Sequence, residues 1–303
     1  MKILAPVTIT NGILTASNVT EDDYDEWDVS TTYDAEDRVI VIGTTHKVYE
    51  AVIGANLGND PTVDDGTNWL EVGATNRWKA FDQKLTQQVT KAGTITYEIT
   101  PATLITGIAF FNMEAGQVQV VAKNGSAETV YDQTVSLADD SEIIDWYSFF
   151  TADLSLSQLT EYLFAGVPGL IGYTIEITVG DGSGTPQVGQ IALGKIVTLG
   201  ETLEGTEIGL RSFSTKEQNA YGDWLITPRA KADPVDFRFV APAEDVGRVK
   251  RVLASIRDTP CVFFAHEDLL SYGAMTYGFF QDFRIPLRRF GVSEIRLEIE
   301  GLT

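Results

Sequence analysis

The chain has 303 residues, enough for about two domains, or three if one is small. Its 44% hydrophobic and 21% charged content is that of an ordinary globular protein and excludes wholesale disorder. With 22 Lys and Arg against 43 Asp and Glu, the net charge of −21 repels phosphate backbones and anionic lipid, so sequence-independent binding to either is disfavoured; simple solubility and a functional acidic surface both account for it.

Residues 1–6 hold too short an apolar stretch for a signal peptide, and Gly166, Pro168, Gly169 and Glu176 interrupt the most apolar region, 162–179. Neither a secretion signal nor a membrane span is expected, and synthesis is expected in a cytoplasm. Residues 1–20 form an N-terminal arm with one strand over 5–10 and an Asn11-Gly12 turn. That turn fits a hairpin, and a terminal arm that pairs with a neighbour would look the same.

The run from Glu21 to Asp28 surrounds Tyr24 and Trp27 with six acids. It lacks the Asp-x-Asp-x-Asp-Gly ladder of a calcium loop, so a solvated acidic face is expected. From Trp27 the aromatic spacing sharpens: Trp27, Tyr33, Asp37-Arg38-Val39, Gly43, Tyr49-Glu50-Ala51, Pro61 and Trp69. A unit over 21–75 is too small for a conventional core, so its rings supply most of the buried surface. This pattern resembles the chitin-binding type of carbohydrate-binding module. Two positions depart from it: Glu36 stands where that family usually has Gly, and Ile53 stands near where a ligand-stacking Trp often follows Tyr-x-Ala in that family. The resemblance makes Trp27, Tyr33, Tyr49 and Trp69 the candidate carbohydrate-binding residues, against the alternative that the rings are structural.

The stretch from Trp69 to Asp82 joins this module to the remainder of the chain. Trp69, Trp78 and Phe81 each favour burial of a large ring, where a flexible linker would be rich in Gly and Ser, so a stiff, packed joint is expected at Asn76-Arg77-Trp78. Strands are expected over 94–98, 104–111, 117–122, 129–137, 173–179 and 187–193, with a turn at Asn124-Gly125 and a non-strand loop with one helical turn over 146–163. Gly180-Asp181-Gly182-Ser183-Gly184-Thr185 has no following Lys-Ser or Lys-Thr and no following helix, which favours a flexible hairpin tip over a phosphate loop. The spacing predicts a β-sandwich over 76–205, and the pattern resembles the galactose-binding-like jelly rolls of bacteriophage virion proteins.

Over 206–303 short strands are expected at 212–216 and 224–229, and 235–240 alternates cleanly. A helix over 243–257 follows, with Val246, Val249, Leu253 and Ile256 as its apolar stripe, Glu244 and Asp245 in its first turn and Arg257 in its last. Strands return over 260–264, 277–285 and 292–300. This order resembles the tube-like domain of distal tail and minor tail proteins of tailed phages. The expected fold is mainly β: a small aromatic β module, a jelly-roll β-sandwich, and a C-terminal tube-like β domain with one helix.

Acid-base chemistry at neutral pH has only His46 and His266 to draw on, and thiol chemistry only Cys261, which lies in an apolar run and is expected to be buried. Neither histidine has zinc-ligand spacing, and both fit surface or packed polar roles. A glycosidase needs only two carboxylates at the right distance; Asp139, Asp140, Glu142 and Asp145 share one loop with Ser141, but nothing marks a pair. No catalytic residue, metal or cofactor is expected. The resemblances imply a non-enzymatic virion structural protein of a tailed bacteriophage, made in the host cytoplasm and placed in the distal tail or tail tip. Its partners would be copies of itself around the tail axis, other tail proteins and host-surface glycan, without sequence-specific nucleic-acid binding or membrane insertion. If the C-terminal domain lines a DNA passage, Glu294, Glu298 and Glu300, with Asp233 and Asp236, are the acids expected to face it; keeping the ring soluble is the other role open to them. The alternative function is a carbohydrate-binding protein using the four rings.

Overall fold

Lys2–Pro6 is the strand on which the largest sheet depends. Ile3 and Leu4 are consecutive, point to opposite faces and are both buried, so each needs cover that only a central strand receives. The computed structural model describes residues 1–43, 45–138, 145–151, 158–218, 221–227, 231–266, 274–285 and 291–302. In it, Lys2–Pro6 pairs antiparallel with Gln187–Thr198 on one side and with Cys261–Phe264 on the other, and Leu4 lies opposite both Ile196 and Val262. The main order of this sheet is Tyr162–Gly169, Ile105–Glu114, Gln187–Thr198, Lys2–Pro6, Cys261–Phe264, Met275–Arg284, Val292–Gly301, Val235–Pro242, Glu201–Thr202.

The expected N-terminal arm is therefore part of the body. Asn11 and Gly12 do form a turn, but the next strand, Leu14–Ser17, joins a different sheet beside Ile95–Ile99, so no hairpin forms. The expected boundary near 205 is also not a break, because Lys2–Pro6 joins strands from 76–205 and 206–303 into one sheet, and the Leu199 N–H donates to the Met1 carbonyl at 3.0 Å.

The second sheet runs Thr129–Ser136, Gln117–Lys123, Thr174–Val179, Ile95–Ile99, Leu14–Ser17. Strict alternation buries Val118, Val120 and Ala122, then Ile175, Ile177 and Val179, against Ile108, Phe110, Phe164, Ile191 and Leu193 of the large sheet. This is the expected sandwich, with strand ends moved by a few residues. Two details differ. Tyr162–Gly169 is an edge strand within the region taken partly as loop, irregular because Gly166 has φ +76° and Pro168 lacks an N–H. The glycine-rich 180–185 loop crosses from one sheet to the other, so it is not a hairpin tip. The helical turn is Trp146–Thr151.

The large sheet curls strongly. Phe111 and Tyr277 lie four strand spacings apart, roughly 19 Å in a flat sheet, yet their rings stack at 5.6 Å. Between the adjacent strands Gln187–Thr198 and Lys2–Pro6 only glycine leaves room: a Cβ on Gly194 would sit 2.0 Å from the Ala5 carbonyl oxygen. Inside the curl lie Leu4, Ala109, Phe111, Val262, Phe264 and Tyr277.

On the opposite face of the C-terminal strands lies the helix Val246–Ser255, with Val246, Val249, Leu253 and the following Ile256 buried against Phe237, Phe239, Ile295 and Leu297. The expected stripe is all inward. The helix is shorter than 243–257 because the preceding strand runs to Pro242 and a turn intervenes, leaving Asp245 as N-cap. Glu244 therefore precedes the helix, and Arg257 follows it, paired with Asp258 at 2.7 Å. No helix among the described residues is long and apolar enough to cross a membrane.

Two smaller parts complete the chain. Residues 21–75 form a three-stranded sheet of Arg38–Val41, Lys47–Ala51 and Trp69–Ala74, with a short pair Thr32–Tyr33 and Asn56–Leu57. Residues 209–218, 221–227 and 231–234 leave the large sheet as a two-stranded ribbon, rooted where Glu207 lies opposite Asp236 in the sheet and continuing with Arg211 opposite Ala232 and Thr215 opposite Thr227.

Candidate functional site

The four candidate sugar-binding rings come together, but as a core. Trp69 is only 2% exposed, Tyr33 and Tyr49 are buried, and Trp27 is half-buried against them. Tyr33 meets Trp69 edge-on at 5.2 Å. Two of them are hydrogen-bonded as well: Trp69 Nε1 donates to the Asn59 carbonyl at 2.9 Å, and the Tyr33 hydroxyl accepts from the Asp28 N–H at 2.8 Å. A sugar stacks on an open ring face, and three of these four rings are already covered by their own module.

Two further positions explain the local build. Glu36 has φ +74°, the left-handed conformation that glycine adopts without strain, so the residue that departs from the family pattern occupies a site with a glycine backbone. Asp64 organises the loop before Trp69. Its Oδ1 accepts the N–H groups of Gly66, Asn68 and Trp69, and its Oδ2 accepts from the Asn68 side-chain amide at 2.6 Å. Desolvation alone would raise this carboxyl, but the Asn68 amide and the three backbone N–H groups outweigh it and hold the pKa down to about 2.

The joint between module and sandwich is packed, as its rings imply, and it is built on a carboxylate. Glu21 is 6% exposed at its side chain. It accepts from His46 Nδ1 at 2.8 Å and Trp78 Nε1 at 2.8 Å, with Arg77 Nη1 at 3.5 Å, while the His46 ring stacks on Trp78 at 4.5 Å. Asp23 accepts the Asn76 N–H at 2.9 Å, and the Tyr97 hydroxyl donates to the Arg77 carbonyl at 2.8 Å. The acidic run is thus only partly a solvated face, since Glu21 and Asp23 turn into the joint. His46 is a packed polar residue, as expected. Glu21 was not singled out by sequence; a packed Arg77-Trp78 pair requires a nearby acceptor, and that is the signal that points to it.

A cleft of about 260 Å³ opens at this joint, lined by His46, Lys47, Glu71, Trp78, Asp82 and Lys84 among others. Lys47 is held by Glu71 at 2.6 Å. Burial pushes the Asp82 carboxyl up to about 6, against the lowering effect of the Lys84 N–H. With both signs of charge, an indole face and an imidazole, the cleft suits a small polar, hydroxyl-bearing ligand. No group of three or more His, Cys, Asp or Glu able to hold a metal is present among the described residues.

The remaining chemical candidates are dispersed. Cys261 is buried, and that burial pushes its thiol up to about 12, far from a neutral-pH nucleophile. His266 is exposed. Asp139, Asp140, Ser141 and Glu142 lie outside the described residues, and Asp145 is exposed. On the last strand Glu294 and Glu298 are exposed on the face away from the helix, whereas Asp236 pairs with Arg296, and Glu300 with Arg211 at 3.5 Å. Arg238 and Glu207 add a further pair at 3.5 Å, so acids and arginines interleave there. No family model, curated protein or solved structure matches the chain.

Proposed function

We propose that this chain is a non-enzymatic structural protein of a tailed-bacteriophage virion, a distal-tail or tail-tip component. Residues 206–303 assemble with copies of themselves around the tail axis, and the sandwich and aromatic module project outward to other tail proteins and host-surface glycan. The observation that carries the reading is the continuous curled sheet. Because Lys2–Pro6 is hydrogen-bonded to strands of both halves, displacing one half from the other requires breaking its ladders. A protein that acts by closing domains on a ligand needs a hinge, and this build favours a rigid part of an assembly instead.

The charge fits the same role. Duplex DNA carries one negative charge per about 1.7 Å of axis, so a wall presenting Glu294 and Glu298 does not hold it by counterion release. Glycan contact, in this reading, falls to the cleft beside His46 and Trp78, since Tyr33, Tyr49 and Trp69 are covered. For the same reason a free carbohydrate-binding protein using the four rings has no observation in its favour. The test is to purify particles from a lysate in which the chain is produced, then quantify it by mass spectrometry and locate it by immunogold. A fixed copy number at one end of the tail is the expected result. Chain that is abundant in the lysate and absent from washed particles overturns the proposal.

A further inference from the structure

The ribbon exposes Leu210, Phe213, Tyr221, Trp224 and Leu225. Its pairing continues from Glu207 and Asp236 near the sheet to Gln218 and Trp224 near the tip. Among the described residues, the Arg211–Ser212 with Lys231–Ala232 pair and the Thr215–Gln218 with Trp224–Thr227 pair have no third strand on either edge. A two-stranded hairpin is marginal in water, and a long unprotected edge is a template for further pairing. Nevertheless Trp224 is 65%, Leu225 64% and Tyr221 92% exposed, with Leu210 and Phe213 also exposed nearby. Trp224 and Leu225 are neighbours on one strand and so point to opposite faces. Both faces of the ribbon are therefore bare, which suits insertion between surfaces better than lying flat on one.

Charge indicates what those surfaces belong to. Between the two strands that belong to the large sheet, residues 209–234 hold four basic residues, Arg211, Lys216, Arg229 and Lys231, against three acids, Glu217, Asp223 and Asp233, in a chain whose net charge is −21. The ribbon is the complement of its own body. Ribbon-to-ribbon pairing would bring like net charges together, whereas ribbon-to-body contact is attractive. We propose that the ribbon is an assembly arm that inserts onto the acidic body of a second copy of this chain, head to tail. Contacts of that kind repeat, and they close into a ring or extend into a filament according to the rotation per copy. The inference rests on the self-assembly part of the function proposed above and names the contact that makes it.

Sedimentation velocity of the full chain over a range of concentration and salt tests it, beside two variants. One replaces 210–231 by an Asn-Gly turn; the other is Trp224→Ser with Leu225→Ser. The second alters only exposed side chains, so it guards against a folding defect in the first. The wild type is expected to form multimers that dissociate on dilution and with added salt. Both variants are expected to sediment as monomers, and at dilutions where wild type is monomeric too, the serine variant is expected to keep the wild-type circular dichroism and melting temperature. Armless chains mixed into wild type are expected to shrink its multimers, because an armless copy accepts an arm and cannot pass one on. Variants that keep the wild-type mass overturn the arm and leave self-assembly standing. A wild type that is monomeric at every concentration and salt overturns both.

Discussion

The aromatic module and the ribbon arm are both short β units without a layered aliphatic core, and they point their rings in opposite directions. In the module a third strand, Trp69–Ala74, and the loop organised by Asp64 give Tyr33, Tyr49 and Trp69 a second layer to pack under. The arm has two strands and no layer above either face among its described residues, so Trp224 and Leu225 stay in solvent. Aromatic content is thus no guide to role. Rings that find cover within their own chain stabilise it, and rings that do not are available to another chain.

The sharpest way to break this comparison is Trp69→Ala, which removes the largest ring of the module core. A loss of about 3–5 kcal/mol is expected for the module, read as urea unfolding and as new proteolytic cleavage within 21–75. A fully folded variant that only stops binding chitin oligomers would return the rings to a ligand-binding role. Next in size is Asp64→Ala, which strips the loop before Trp69 of its acceptor and should cost on the order of 2 kcal/mol at neutral pH. Because the folded carboxyl titrates near 2 instead of the ordinary 3.8, its contribution is complete above the ordinary value and is lost as pH falls below it and through 2. Wild type and variant should therefore converge only below pH 2, where the folded carboxyl is itself protonated, and a difference that persists well below pH 2 assigns the effect to something other than the charge.

Glu36→Gly has the opposite sign. Relief of the left-handed backbone should stabilise the module by up to about 1 kcal/mol, reduced by the extra freedom of glycine in the unfolded chain; a clear loss in melting temperature would show that the Glu36 side chain contributes more than its backbone costs. The smallest effect belongs to the arm. Under conditions where the protein is monomeric, Trp224→Ala should change stability by less than about 0.5 kcal/mol. A loss approaching that of Trp69→Ala would mean that the ring is covered by its own chain, and the contrast between the two regions would vanish.

The sandwich strands and the helix stripe were legible because alternation by two and spacing by three and four follow from backbone geometry alone. Tyr162–Gly169 was not, since Gly166 and Pro168 break its alternation and its burial follows no simple period. The candidate sugar site was legible only as a set of rings that belong together. Glu21 was hidden because its burial comes from Trp78, 57 residues further on, and nothing beside it in sequence distinguishes it from the exposed acids that come after it.

By itself the sequence determined that the chain is mainly β, which residues form the inward rows of the sandwich and the helix, and that the joint after Trp69 is packed. Tertiary structure alone decided that Lys2–Pro6 lies between Gln187–Thr198 and Cys261–Phe264, that the module rings are covered, and that the arm rings are not. Periodicity is a property of consecutive residues, so it is written locally. Cover depends on which distant segments meet, and that is set by closing long loops against their entropy and by the sum of many contacts, which no short stretch of sequence records.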